Sequence, residues 1–199
     1  LIVIKVVNVR NIVNHDKGAT FRIIENTIRE LGYSFQYKII NAQSFVPQKR
    51  VRCYMVCFRD GEDNFVFPEE GEQSIPLKSI LESEVEDRFT ISDKLWAGHQ
   101  RRTAANLSRG TGFTAFCADP EKPSNTLVAR YGKDGKECLI PQRDKNPRML
   151  TPRECARLQG FPDTFLIPVA KTAAYKQFGN SVAVPVIEAI SKKIITHME

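Results

Sequence analysis

Arg148-Met-Leu-Thr-Pro-Arg-Glu-Cys-Ala-Arg-Leu-Gln-Gly-Phe-Pro-Asp163 and Tyr175-Lys-Gln-Phe-Gly-Asn-Ser-Val-Ala-Val-Pro185 are the stretches on which the reading of this 199-residue chain turns. The first spells a helix with a complete start signal. Thr151 is placed to be the N-cap, Pro152 takes the first helical position, and Glu154 stands three residues after Thr151. In such a capping box the threonine hydroxyl accepts one free backbone N–H and the glutamate reaches back to another. Gly160 supplies a left-handed stop, and Pro162 prevents continuation. In the second stretch, Gly-Asn-Ser precedes apolar residues at helical spacing: Val186, Ile187, Ile190 and Ile194. A small polar turn at a helix start can hold a polar ligand through backbone amides and short side chains. On spacing alone, both stretches read more readily as well-built helix starts and nothing more.

Working outward, residues 1–7 read as a buried strand, and Asn8-Val9-Arg10-Asn11 leads to a polar turn at His15-Asp16-Lys17-Gly18. A lone histidine in a turn reads as structural. Phe21, Ile24, Ile28 and Leu31 recur at helical spacing, and Gly32 ends that helix. Tyr33, Phe35, Tyr37 and Ile39 alternate as in a strand. Val51 to Phe58 is apolar on both faces beyond Arg52, the signature of a central strand in an α/β sheet. At its entrance, Gln48, Arg50 and Arg52 occupy alternate positions of an extended chain and are expected to face the same way. Two guanidinium groups there can hold a phosphate or a base carbonyl; an exposed basic strand end is the plain alternative.

Residues 60–87 hold ten acids against one base, and the remaining 171 residues carry 28 bases and 13 acids. A basic surface opposed by an acidic segment suits a polyanionic partner such as DNA. Between residues 91 and 147, Trp96, His99, Gln100, Arg101 and Arg102 suggest a basic, aromatic-bearing patch. Arg109-Gly-Thr-Gly-Phe113 reads as a flexible loop; it lacks the strand–loop–helix setting of a dinucleotide fingerprint. Ser124-Asn-Thr-Leu-Val-Ala-Arg-Tyr131 follows, Gly132-Lys-Asp-Gly135 reads as a hairpin turn, and Glu137 to Ile140 as its return strand. Arginines on short strands and loops suit phosphate positioning, and Arg, Asn, Gln and Thr can read base edges. The five cysteines show no Cys-x-x-Cys spacing, so neither a disulfide framework nor a metal site is suggested, and a reducing cytoplasm is expected. No apolar run reaches the roughly 18 residues of a membrane span. Because the first residue is Leu, the natural start is expected to be missing or unusual.

Both opening stretches closely resemble the last two motifs of the DNA cytosine-5 methyltransferases. Gln48-Lys-Arg-Val-Arg52 matches that family's Gln-x-Arg-x-Arg motif, Thr126-Leu127 matches the Thr-Leu pair of its target-recognition domain, and Asn8 matches the asparagine of its Glu-Asn-Val motif. The resemblance implies an α/β fold: the C-terminal part of a Rossmann-like methyltransferase domain plus a small mixed, β-rich target-recognition domain. It implies a partial catalytic domain at 1–60, an acidic connector at 61–90, recognition at 91–147, and a brace helix with a returning segment at 148–199. Arg52 would contact a flipped cytosine, with Arg50 and Gln48 supporting the pocket. Thr126, Leu127, Arg101, Arg102, Arg109 and Arg130 would face duplex DNA. Asn180 and Ser181 would help close the S-adenosylmethionine pocket, and Cys155 would be a buried helix residue rather than a nucleophile.

The chain also departs from the family pattern. The donor loop Phe-x-Gly-x-Gly is absent, none of the eleven prolines is followed by Cys, and Val7 stands where the family has its glutamate. The expectation is therefore the C-terminal half of a bacterial or phage enzyme, inactive alone. S-adenosylmethionine would bind only with the N-terminal half, supplied as a separate chain. The alternatives are an inactive gene remnant, a fragment of a longer enzyme and a stand-alone DNA-binding module.

Overall fold

The computed structural model describes residues 3–59, 61–110 and 114–199. Thr111, Gly112 and Phe113, in the loop expected to be flexible, lie outside the described residues, as do Leu1, Ile2 and Asp60. The chain divides into two compact units. One holds the residues up to Ala42 together with Arg50–Gly71 and Val186–Glu199; the other holds Gln43–Lys49 and Glu72–Pro185.

The first unit is a three-stranded antiparallel sheet in the order β1-β3-β2, with β1 at Val3–Val9, β2 at Gln36–Asn41 and β3 at Val51–Phe58. The strand that reads as apolar on both faces is the central one. Helix α1 (Ala19–Glu30) lies against the sheet, and Phe21, Phe35, Cys53, Met55 and Cys57 form one cluster. The Phe21 ring meets Phe35 edge-on at 5.6 Å and Tyr37 at 4.7 Å, the arrangement that aromatic quadrupoles favour. Phe58, at the far end of β3, stacks with His197 from the chain's last helix at 4.7 Å, and Phe65 joins them. The start of the acidic segment is fastened down here. Asp63 accepts from the Phe35 amide at 2.8 Å and pairs with Arg29 at 2.6 Å.

The second unit is built around the helix announced by the sequence. Helix α3 spans Pro152–Leu158, and its capping box is formed: Thr151 Oγ1 accepts from the Glu154 amide at 3.1 Å, and Glu154 Oε2 accepts from the Thr151 amide at 2.8 Å. At the other end the Gly160 amide donates to Arg157 O and the Phe161 amide to Ala156 O, a Schellman stop with Gly160 at φ +80°. Glu154 does more than cap. Fully buried, it takes a bidentate pair from Arg148 at 2.8 Å on each oxygen and a third bond from the Glu82 amide at 2.9 Å. Around it, Leu77, Leu127, Tyr131, Leu150, Leu158 and Phe178 form the core. Two tyrosines clamp Leu150: Tyr131 Oη accepts from its amide at 2.7 Å, and Tyr175 Oη donates to its carbonyl at 2.6 Å.

Three local expectations differ from the structure. Residues 93–108 form a 16-residue helix, α2 (Asp93–Ser108), capped by Ser92, so Arg101 and Arg102 ride on a helix rather than on strands or loops. The hairpin joins β4 (Leu139–Gln142) to β5 (Lys145–Met149) and turns at Arg143-Asp144. Gly132–Gly135 is instead part of a tight turn in which the Gly135 amide donates to Tyr131 O at 3.0 Å, and this leaves Tyr131 free to reach Leu150. Third, a helix that was not foreseen, α4 (Lys171–Asn180), precedes α5 (Val184–Met198). Gly179 on α4 lies so close to the backbone of Val128 and Ala129 that a Cβ would approach within 2.4 Å.

Candidate nucleic-acid interface

In the second unit, the chain just before β3 is laced to the Thr-Leu segment. The Lys49 amide donates to Ser124 O at 2.8 Å, and Thr126 Oγ1 donates to Lys49 O at 2.6 Å. Gln48 completes the lacing from inside. Its Oε1 accepts from the Leu127 amide at 2.7 Å and its Nε2 donates to Leu158 O at 3.2 Å. Each amide atom satisfies a buried backbone group, so this glutamine joins the Thr-Leu segment to α3. One expectation is corrected here: Leu127, 1% exposed, is a core side chain rather than a surface contact, and Gln48 beside it is fully buried.

What the lacing leaves on the surface is an open hollow of about 580 Å³ lined by Lys49, Asn125, Thr126, Arg130, Lys136 and Glu137. Thr126 and Arg130 were singled out from the sequence, and the fold brings them together. Lys49 was visible only as the middle of a motif, and Lys136 and Glu137 as the entry to a strand. Three cations around one recess favour a polyanion. Arg101, Arg102 and Arg109 do not line this hollow. Arg101 and Arg102 are exposed on α2, and Arg109 follows its last turn. His99 departs from the expected surface patch: it is 2% exposed, with Nε2 3.0 Å from Asp134 O and Nδ1 3.0 Å from an Arg102 nitrogen.

In the first unit, Arg50, Arg52 and Tyr54 alternate along one side of the chain as it enters and follows β3. Arg52 pairs in register with Val9 on β1 and Ile40 on β2, and Val7 stands opposite Tyr54. Asn8, in register with Cys53, accepts from the Val9 amide through its own Oδ1 at 2.8 Å. Arg50 is 3% exposed; burial, then the charge of Arg52, lowers its pKa to about 10. Burial also lowers that of Arg52, which donates to Val51 O at 2.8 Å. Both remain cationic at neutral pH. A pair of partly desolvated guanidiniums suits a carbonyl or anionic acceptor.

Asn180 and Ser181, with Ala173, Lys176 and Gln177, line a second open hollow, of about 490 Å³. They occupy the C-terminal end of α4, not the start of a helix. Ser181 is the C-cap, and both its amide and its hydroxyl donate to Phe178 O. The amide expected to be available at the next helix start is also engaged, since Val184 N donates to Gln159 O at 2.8 Å. A helix C-terminus carries partial negative charge and favours cationic groups. This fits the ammonium and sulfonium of S-adenosylmethionine better than an anion held by backbone amides. Cys155 is fully buried, and burial raises its pKa well above the usual thiol range, which makes it a packing residue.

The fold defines a class. The structure aligns with Schizosaccharomyces pombe Dnmt2 methyltransferase at TM-score 0.76 and 16% identity, covering 98% of this chain and 66% of that one. It aligns with the Entamoeba histolytica methyltransferase EhMeth at TM-score 0.73 and 20% identity, covering 99% and 63%. The architecture is the mixed α/β fold of these methyltransferases. The sequence narrows this further: the family model described as C-5 cytosine-specific DNA methylase matches residues 4–196, and the chain belongs to that family. It is 50% identical over 198 residues to the type II methyltransferase M.SsoII of Shigella sonnei, covering 96% of this chain and 52% of the relative. It is 51% identical over 199 residues to M1.ScrFI of Lactococcus lactis subsp. cremoris, covering 96% and 51%. The chain thus spans about half the length of the curated relatives it matches.

Proposed function

We propose that this chain is the C-terminal portion of a DNA cytosine-5 methyltransferase, providing sequence recognition and the base-pocket arginines. The carrying observation is the hollow in which Thr126 and Arg130, both expected at DNA, stand together with Lys49 and Lys136. In this reading Lys49 and Lys136 position the duplex through its phosphates. Arg52 donates N–H groups to the carbonyl of a cytosine turned out of the stack, and Arg50 holds the strand entrance beneath it. Asn180 and the end of α4 hold the amino-acid end of S-adenosylmethionine, which supplies the methyl group when bound. The thiolate that attacks the base and the donor loop come from polypeptide outside these 199 residues.

Val7, where the family carries its acid, favours an inactive remnant or an overlapping split frame over a simple truncation. One experiment separates the two. The pure chain is expected to transfer no tritium from labelled S-adenosylmethionine to duplex DNA. Adding a chain that carries the donor loop and the Pro-Cys dipeptide is expected to start transfer. Failure of every such pairing, with both chains folded, favours the remnant. In a pairing that works, Arg52→Ala is expected to cut transfer by roughly 100-fold or more, as loss of one donor at a reacting carbonyl does. Unchanged transfer would show that Arg52 does not hold the base.

A further inference from the structure

One group in the basic hollow has no place in phosphate binding. Glu137 lines the recess beside Lys49, Arg130 and Lys136, yet it is 6% exposed, and among the described residues its Oε2 has no hydrogen-bond partner. A buried carboxylate oxygen without a donor is costly to keep and is rare in folded proteins. At the floor of a surface meant for a polyanion it also repels phosphate. Both costs make sense if the missing donor arrives with the ligand.

The base edges of a duplex differ in what they offer such an acceptor. Guanine presents N7 and O6 in the major groove, and thymine presents O4 and a methyl group; all of these repel or ignore a carboxylate. Adenine offers an amino group flanked by the N7 acceptor. Cytosine offers its N4 amino group with no acceptor beside it. A cation next to the carboxylate then meets the acceptors of the paired guanine. We propose that Glu137 reads the N4 amino group of a cytosine in the major groove, and that Arg130, on the same hollow, donates to N7 and O6 of its guanine. The inference rests on the DNA-recognition reading above. Because Oε2 is shielded from solvent, the Glu137 side chain swings toward the hollow as the amino group arrives. Burial, and then the charge of Asp134, raises the Glu137 pKa against its own backbone amide and the charges of Lys136 and Arg130, so acid neutralises the acceptor and removes its preference.

The test is selection of a randomised duplex library on the purified chain, followed by sequencing of the bound fraction. The wild-type chain is expected to enrich a motif with at least one fixed C·G pair. In Glu137→Gln, which keeps the shape of the side chain, the preference at that pair is expected to weaken by roughly 5- to 150-fold, the range for one base-pair contact, or to move toward adenine. The other positions are expected to hold. A second arm needs no variant: pyrimidin-2-one, which lacks the amino group, replaces that cytosine in a selected duplex. Wild-type binding is expected to fall by the same factor. An identical motif in Glu137→Gln, or undiminished binding to the pyrimidin-2-one duplex, overturns the assignment and leaves DNA recognition standing. A wild-type chain that enriches nothing overturns the recognition reading, and this inference with it.

Discussion

Glu154 shows how one side chain can be half legible. Its place in a capping box follows from Thr151 three residues earlier, because that chemistry is local. Its partnership with Arg148 and with the Glu82 amide joins segments that no spacing rule connects. Those contacts give it its energetic weight. With Glu154 fully buried and the Arg148 side chain 8% exposed, Glu154→Ala leaves a guanidinium desolvated and unpaired. Loss of about 3–5 kcal/mol is expected, the usual cost of breaking a buried pair, measured by urea unfolding. A loss below about 1 kcal/mol, within the range of exposed pairs, would mean that Arg148 finds water or another acceptor. Gln48 and Leu127 teach the opposite lesson. Residue type and position are plain in the sequence, but which way they point is fixed by burial, which the sequence does not reveal.

Among the elements, β3 and α3 were readable and α4 was not. An eight-residue apolar run can only be a buried strand or a short piece of helix, and a capping box marks where a helix begins. Helix α4 has Ala170 at its N-cap, which offers no side-chain cap, so nothing announces it. The hairpin was displaced because glycines mark the wrong candidate turn, whereas the turn used has Asp144 at φ 55°. The depth of β3 has a consequence at high pH. Burial pushes the Cys53 and Cys57 thiols up to about 11 and the Tyr54 phenol up to about 12, the phenol against the opposing charges of Arg50 and Arg52. These groups bind their protons more tightly when folded. Their contribution is intact below the unfolded values of roughly 8.5 for Cys and 10 for Tyr, and is lost as pH rises through 11 to 12. Tyr54→Phe is expected to cost little at pH 7, since among the described residues the Tyr54 hydroxyl has no partner. It is also expected to flatten the decline above pH 10. Urea midpoints at pH 8, 10 and 11 decide the matter, and an unchanged decline would assign the titration elsewhere.

At the scale of the molecule, charge separation was the most legible property. The ten acids of residues 60–87 leave the rest of the chain strongly basic, and three of its cations surround one hollow. If Lys49 neutralises a phosphate, Lys49→Ala lowers the slope of log affinity against log salt by about 1 and weakens all duplex sequences alike. Titration of the chain with a short duplex at several salt concentrations tests this, and an unaltered slope removes Lys49 from the phosphate contacts. The units interleave the chain: Gln43–Lys49 joins the second unit although its neighbours on both sides belong to the first.

That interleaving also sets an order of events during synthesis. The strands of the first unit leave the ribosome before the second unit is made, but Val186–Glu199, which bring His197 onto Phe58 and Phe65, follow it. At roughly 5–20 residues per second, the nascent sheet waits several seconds while the whole second unit is made. Throughout that interval the aromatic end of β3 lacks its lid and is open to chaperones. The second unit, whose residues through Pro185 are all made before Val186–Glu199, is free to close first.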